Sequence, residues 1–192
     1  MSTSIHKELP LFPKKILGLA VFITVEIMMF AGLLTSFIIL RVNQVQWPPV
    51  FQPKFPLLVT GLNSIILIAA GFMISFAVRP TVNYKSIFHK VFLSCCFLLI
   101  FLIVQAYEWY QLILEGLSMQ GIYGPLFVLI IGMHALHVIL GLFINMYVTK
   151  ILHAKKIKQY ELFSLDGHLS LARIYTWFVV GLWPCIYFIV YF

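Results

Sequence analysis

The sequence predicts an all-α protein, a transmembrane bundle of five helices with its N-terminus cytoplasmic and its C-terminus periplasmic. Three observations carry this expectation. Of 192 residues, 62% are hydrophobic and 10% are charged, with a mean hydropathy of +1.01. A water-soluble domain of this length could not hide so much apolar surface. The apolar residues gather into five runs, each near the roughly 20 residues that cross a bilayer as a helix. The basic residues fall between the runs, mostly to one side. One domain, residues 1–192, is the natural division.

The first run extends from Ile16 to Leu40 and stops before Trp47-Pro48-Pro49, which no helix continues through. The second, Phe55 to Val78, ends at Arg79-Pro80, and the third covers Val91 to Leu114. Gly116, Gly121, Gly124 and Pro125 mark a short turn before the fourth run, Pro125 to Val148. Residues 150–168 are the longest polar stretch, and the fifth run is Leu169 to Phe192. Backbone polar groups in lipid have to be satisfied within each segment, so the runs are expected to be helices. No signal peptide is expected, because the first run is too long and lacks a small-residue cleavage site.

Five crossings sort the basic residues. Lys7, Lys14, Lys15, Arg79, Lys85, Lys90, Lys150, Lys155, Lys156, Lys158 and Arg173 fall on one side, Arg41 and Lys54 on the other. The richer side is expected to be cytoplasmic. The formal charge of +7 is explained by these loops, so no nucleic-acid partner is expected. Cys95, Cys96 and Cys185 form no CxxC pattern and read as inert buried thiols.

Ionisable residues inside a span cost at least ~2.5 kcal/mol at the helix centre, so they need a partner or a purpose. Glu26 lies ten positions beyond Ile16, about 15 Å deep. His134 and His137 are the histidines inside spans, three apart on the fourth run. His134 is nine positions past Pro125, about 14 Å from the opposite surface. Glu26 and His134 therefore reach one depth, and a contact between them is expected, as hydrogen bond or ion pair. It could pin two helices, move a proton, or meet a lipid headgroup or another subunit. Residues three apart on one helix cannot supply two opposed haem ligands, and a zinc or copper site needs a third ligand. No metal or cofactor is expected on this chain.

The third run carries Gln105, Glu108, Gln111 or Leu112, and Glu115 along one side near the outer interface. Tyr107, Trp109 and Tyr110 beside them fit an interfacial aromatic belt. This stripe is either a helix end emerging into water or a face for a lipid headgroup or protein. Gly18, Gly32, Gly132 and Gly141 are expected to permit close helix approach.

Taken in order, these segments resemble subunit III of the haem–copper respiratory oxidases. Val25-Glu26-Ile27-Met28-Met29-Phe30-Ala31-Gly32-Leu33 resembles that family's glutamate-bearing segment, Leu40-Arg41 its end, and Trp47-Pro48-Pro49 the proline-rich loop that follows. Val59-Thr60-Gly61-Leu62-Asn63-Ser64 is similar to the start of its next helix, and Gln105-Ala106-Tyr107-Glu108-Trp109 to its glutamine–glutamate segment. Gly132-Met133-His134-Ala135-Leu136-His137-Val138-Ile139-Leu140-Gly141 is similar to its paired-histidine segment, the most specific element. The last span departs: Trp177 and Val180 stand where the family has His and Asp.

The length resembles the short five-helix bacterial form. The resemblance implies a multi-pass protein of a bacterial plasma membrane and a non-catalytic part of a proton-pumping terminal oxidase. The whole complex would reduce oxygen to water with cytochrome c or quinol as donor. It implies haem and copper in partner subunits, packing on subunit I, and contact with subunit II and a small subunit IV. It also implies bound phospholipids and support of proton uptake and durability. Two alternatives from the residues are an accessory subunit of a nitric-oxide reductase system and a small stand-alone transporter with Glu26 as its coupling carboxylate.

Overall fold

The computed structural model describes residues 14–44, 57–78, 84–154 and 162–191. The Trp47-Pro48-Pro49 and Arg79-Pro80 breaks lie outside the described residues, as do Lys7, Lys54, Lys155, Lys156 and Lys158. The described chain forms five helices: α1 (Lys14–Val42), α2 (Leu57–Ala77), α3 (Tyr84–Leu114), α4 (Tyr123–Ala154) and α5 (Leu162–Ile186). A π-helical turn, Tyr187–Tyr191, follows α5. All five helices are long and apolar enough to cross a membrane.

Three helices outrun their apolar spans. α3 begins at Tyr84 rather than Val91, α4 continues to Ala154, and α5 begins at Leu162 rather than Leu169. The extra turns contain Lys85, His89, Lys90, Lys150 and His153. A helix already satisfies its own backbone, so it need not stop where the hydrocarbon ends. Long basic side chains reach water from there.

The turn between α3 and α4 agrees with its glycines. Gly116 and Gly121 have φ of 91° and 93°, a region open to glycine at little cost. Leu117 N–H bonds the Leu112 carbonyl at 2.9 Å and Gly116 N–H bonds the Ile113 carbonyl at 3.1 Å. Those two bonds close the end of α3, with Leu117 and Leu112 both in the core. Pro184 sits inside α5. It has no N–H for the preceding turn, and the helix opens into the π turn three residues later.

Helices α2, α3, α4 and α5 close a ring, each against the next and α5 against α2. Trp183, Phe101, Leu67 and Ile130 fill its centre. α1 lies outside this ring, on α4, α5 and the π turn. It buries Phe30, Leu34 and Phe37 and leaves Val21, Val25 and Met28 exposed. Gly18 and Gly32 have nothing within 4 Å of where a Cβ would stand, so they do not make the expected close approach. Gly132 and Gly141 do: an added Cβ would lie 3.2 Å from the Trp109 ring and 3.4 Å from that of Tyr175.

Candidate functional site, a polar seam and a polar core

Glu26 does not meet His134. Its Oε2 lies 3.0 Å from His137 Nε2, across the seam between α1 and α4. Three residues along a helix leave two side chains about 60° apart around its axis. That angle is enough to separate the two rings. His137 points to the flank where α1 lies, and His134 points into the ring of four helices. Depth alone could not make this choice.

The far side of His137 fixes its protons. Nδ1 lies 2.6 Å from the Met133 carbonyl oxygen. A carbonyl can only accept, so Nδ1 carries a hydrogen. Nε2 and the Glu26 oxygen at 3.0 Å would repel if both were bare, so one proton lies between them. The pair is therefore neutral overall, whether the shared proton rests on the imidazole or the carboxyl. Phe30 packs edge-on to His137 with ring centres 5.3 Å apart, and Phe178 at 6.1 Å. The Tyr175 hydroxyl donates to the His137 carbonyl at 3.3 Å.

His134 is fully buried. It stacks on Trp183 with ring centres 4.9 Å apart and meets the Phe101 ring edge-on at 6.1 Å. Neither of its ring nitrogens has a hydrogen-bond partner among the described residues. It behaves as a flat aromatic filler in the four-helix core. Trp183 is held in place by donating from Nε1 to Ser64 Oγ at 2.7 Å.

The outer stripe on α3 divides. Gln105 and Glu108 are each 2% exposed, whereas Glu115 is exposed. Thr60 of α2 donates to Glu108 Oε1 at 2.9 Å, and Gln105 Nε2 donates to Glu108 Oε2 at 3.1 Å. Gln105 Nε2 also reaches the Tyr191 hydroxyl at 3.4 Å. The cluster thus ties α2, α3 and the π turn together inside the protein, and it is not a helix end emerging into water. Tyr107 and Tyr110 are exposed beside it, as expected of a belt, while Trp109 turns in against Gly132.

Further polar side chains link the helices. Asn63 Nδ2 donates to the Phe101 carbonyl at 3.2 Å, Asn145 Nδ2 to Thr176 Oγ1 at 3.2 Å, and Ser94 Oγ to the Ala70 carbonyl at 3.0 Å. Thr60, Asn63 and Ser64 recur at three- and four-residue steps on α2, a signal for one polar face. At the departures in α5, Trp177 Nε1 donates to Ser75 Oγ at 2.6 Å. Val180 and Trp177 both pack over Gly71, whose absent side chain leaves them room. Among the described residues, no three of His, Cys, Asp and Glu stand close enough to share a metal ion.

Five spanning helices, four around a core crossed by side-chain hydrogen bonds and one latched by a Glu–His pair, define a multi-pass membrane protein. The family described as cytochrome c oxidase subunit III matches residues 12–192. A cytochrome c oxidase subunit 3 of Synechocystis sp. is 31% identical over 97% of this chain and 76% of its own length. One of Thermostichus vulcanus is 28% identical over 92% of this chain and 86% of its own. One of Loxodonta africana is 28% identical over 91% and 67%. The chain belongs to the cytochrome c oxidase subunit III family.

Proposed function

We propose that the chain is the non-catalytic subunit III of a proton-pumping terminal oxidase in a bacterial plasma membrane, oriented with its N-terminus in the cytoplasm. The observation that carries this reading is the family match across residues 12–192. Haem and copper reside in partner subunits, and this chain packs on subunit I, with subunit II and a small subunit IV in the same complex. Cytochrome c or quinol delivers the electrons. The chain contributes helical surface and bound phospholipid beside the catalytic subunit, supporting proton uptake and durability. Glu26 and His137 form the seam that sets the place of α1, and His134 fills the core of the four-helix ring. Gln105 and Glu108 fix the outer end of the ring. A hydrogen-bonded interior suits this supporting role, because it orders the helices against one another.

The test is affinity purification of the tagged chain in mild detergent. Co-purification with an oxygen-reducing complex bearing haem–copper spectra is expected. Recovery of the chain alone, or with a nitric-oxide-reducing complex, would overturn the assignment.

A further inference from the structure

We infer that the interior between the α3–α4 turn and the middle of the bundle is a binding site for water, held by Gln105 and Trp109 of α3, His134 of α4 and Asn63 of α2. Asn63 Oδ1, Gln105 Oε1, Trp109 Nε1 and both ring nitrogens of His134 are buried with no hydrogen-bond partner among the described residues. Such atoms are rare in folded proteins, because each has given up its bonds to water. Here they gather in one place. Asn63 Nδ2 donates to the Phe101 carbonyl at 3.2 Å, and the Phe101 ring meets that of His134 at 6.1 Å. Gln105 and Trp109 follow Phe101 at successive turns of α3. The Trp109 ring lies against Gly132, two residues before His134. Through Phe101 and Trp109 the four side chains therefore surround one stretch of the α3–α4 contact.

The chemistry of these atoms selects the ligand. Trp109 Nε1 can only donate, and the Asn63 and Gln105 oxygens can only accept. Either neutral tautomer of His134 adds one donor and one acceptor. A cation has nothing for the indole N–H, and an anion has nothing for the amide oxygens. Water donates and accepts, so it meets both kinds. Turning the Gln105 amide over would exchange its oxygen for an N–H group, which water meets equally well. Room exists beside them: a recess of about 270 Å³ between α3 and α4 is lined by Leu102, Gln105, Ala106, Trp109, Ala135 and Ile139. A water takes up about 30 Å³ of liquid volume, so the recess has space for it. Gln105 Nε2 already donates to Glu108 Oε2 at 3.1 Å. The water therefore carries the Glu108 cluster of α2 and α3 across to α4.

The test is water-edited solid-state NMR of the protein purified in mild detergent with whatever subunits accompany it, labelled with nitrogen-15 at histidine and tryptophan. The Trp109 and His134 signals are assigned by their loss in W109F and H134F. Trp183 is the internal control, because its Nε1 donates to Ser64 Oγ at 2.7 Å within the same core. Magnetisation from water is expected to reach Trp109 and His134 about 3-fold or more faster than Trp183, as bound water requires. A135L fills the recess with carbon and should slow transfer to Trp109 while leaving Trp183 unchanged. A wild-type cryo-electron microscopy map that resolves ordered water needs no variant. It should show a peak within about 3.2 Å of Trp109 Nε1 or a His134 ring nitrogen and of the Gln105 amide. Transfer to Trp109 and His134 no faster than to Trp183, transfer to Trp109 that A135L leaves unchanged, or a map with no such peak would overturn the proposal.

Discussion

Glu26 and His137 share one proton across the seam between α1 and α4, with Nε2 and Oε2 3.0 Å apart and Nδ1 committed to the Met133 carbonyl. The arrangement joins the outlying helix α1 to the ring of four. α1 has few buried side chains of its own, so this bond is a large part of what sets its rotation and height.

The proton count separates two variants. In E26Q the new amide can donate to a bare Nε2, so the bond survives. In E26A the ring nitrogen is left unpaired, which is expected to cost about 1–3 kcal/mol. Unfolding in mixed micelles should show E26A well below wild type and E26Q less than halfway to it. Equal losses in the two would contradict the shared proton.

Removing the Thr60 hydroxyl takes a donor from a buried carboxyl oxygen of Glu108. T60V is expected to lower stability by about 1–3 kcal/mol. The double variant T60V/E108L should cost less than the sum of its parts, because neither leaves the other's polar atom stranded. Thermal unfolding of the four proteins of this cycle measures the coupling.

Glycines of similar appearance should differ sharply. A Cβ on Gly124 would run into the Ser118 backbone carbonyl, whereas one on Gly32 meets nothing within 4 Å. G124A is expected to cost about 1–3 kcal/mol or more by overpacking, and G32A to be near neutral. The yield and melting temperature of the folded monomer in detergent compare them.

The Trp177–Ser75 bond joins α2 and α5. S75A removes an interhelical hydrogen bond in a membrane, expected to cost about 0.6 kcal/mol. W177A also strips the packing over Gly71 and Phe72, so its melting temperature should fall further. If S75A and W177A fall equally, the ring contributes no packing.

The sequence by itself determined the number of helices and the turn at Gly116 and Gly121, because lipid imposes one solution on a long apolar run and positive φ selects glycine. It also singled out Glu26, His134, His137, Gln105 and Glu108, since ionisable or amide groups are conspicuous among apolar neighbours. Their partners required the tertiary structure. His134 and His137 differ by about 60° around one helix, and the placement of α1 decides which of them meets Glu26. Glu108 is buried because Thr60 and Tyr191, 48 and 83 positions away in the chain, close over it. Hydropathy registers how apolar a segment is along its length. It carries no record of which neighbour covers each side, and that is settled when five helices choose one packing.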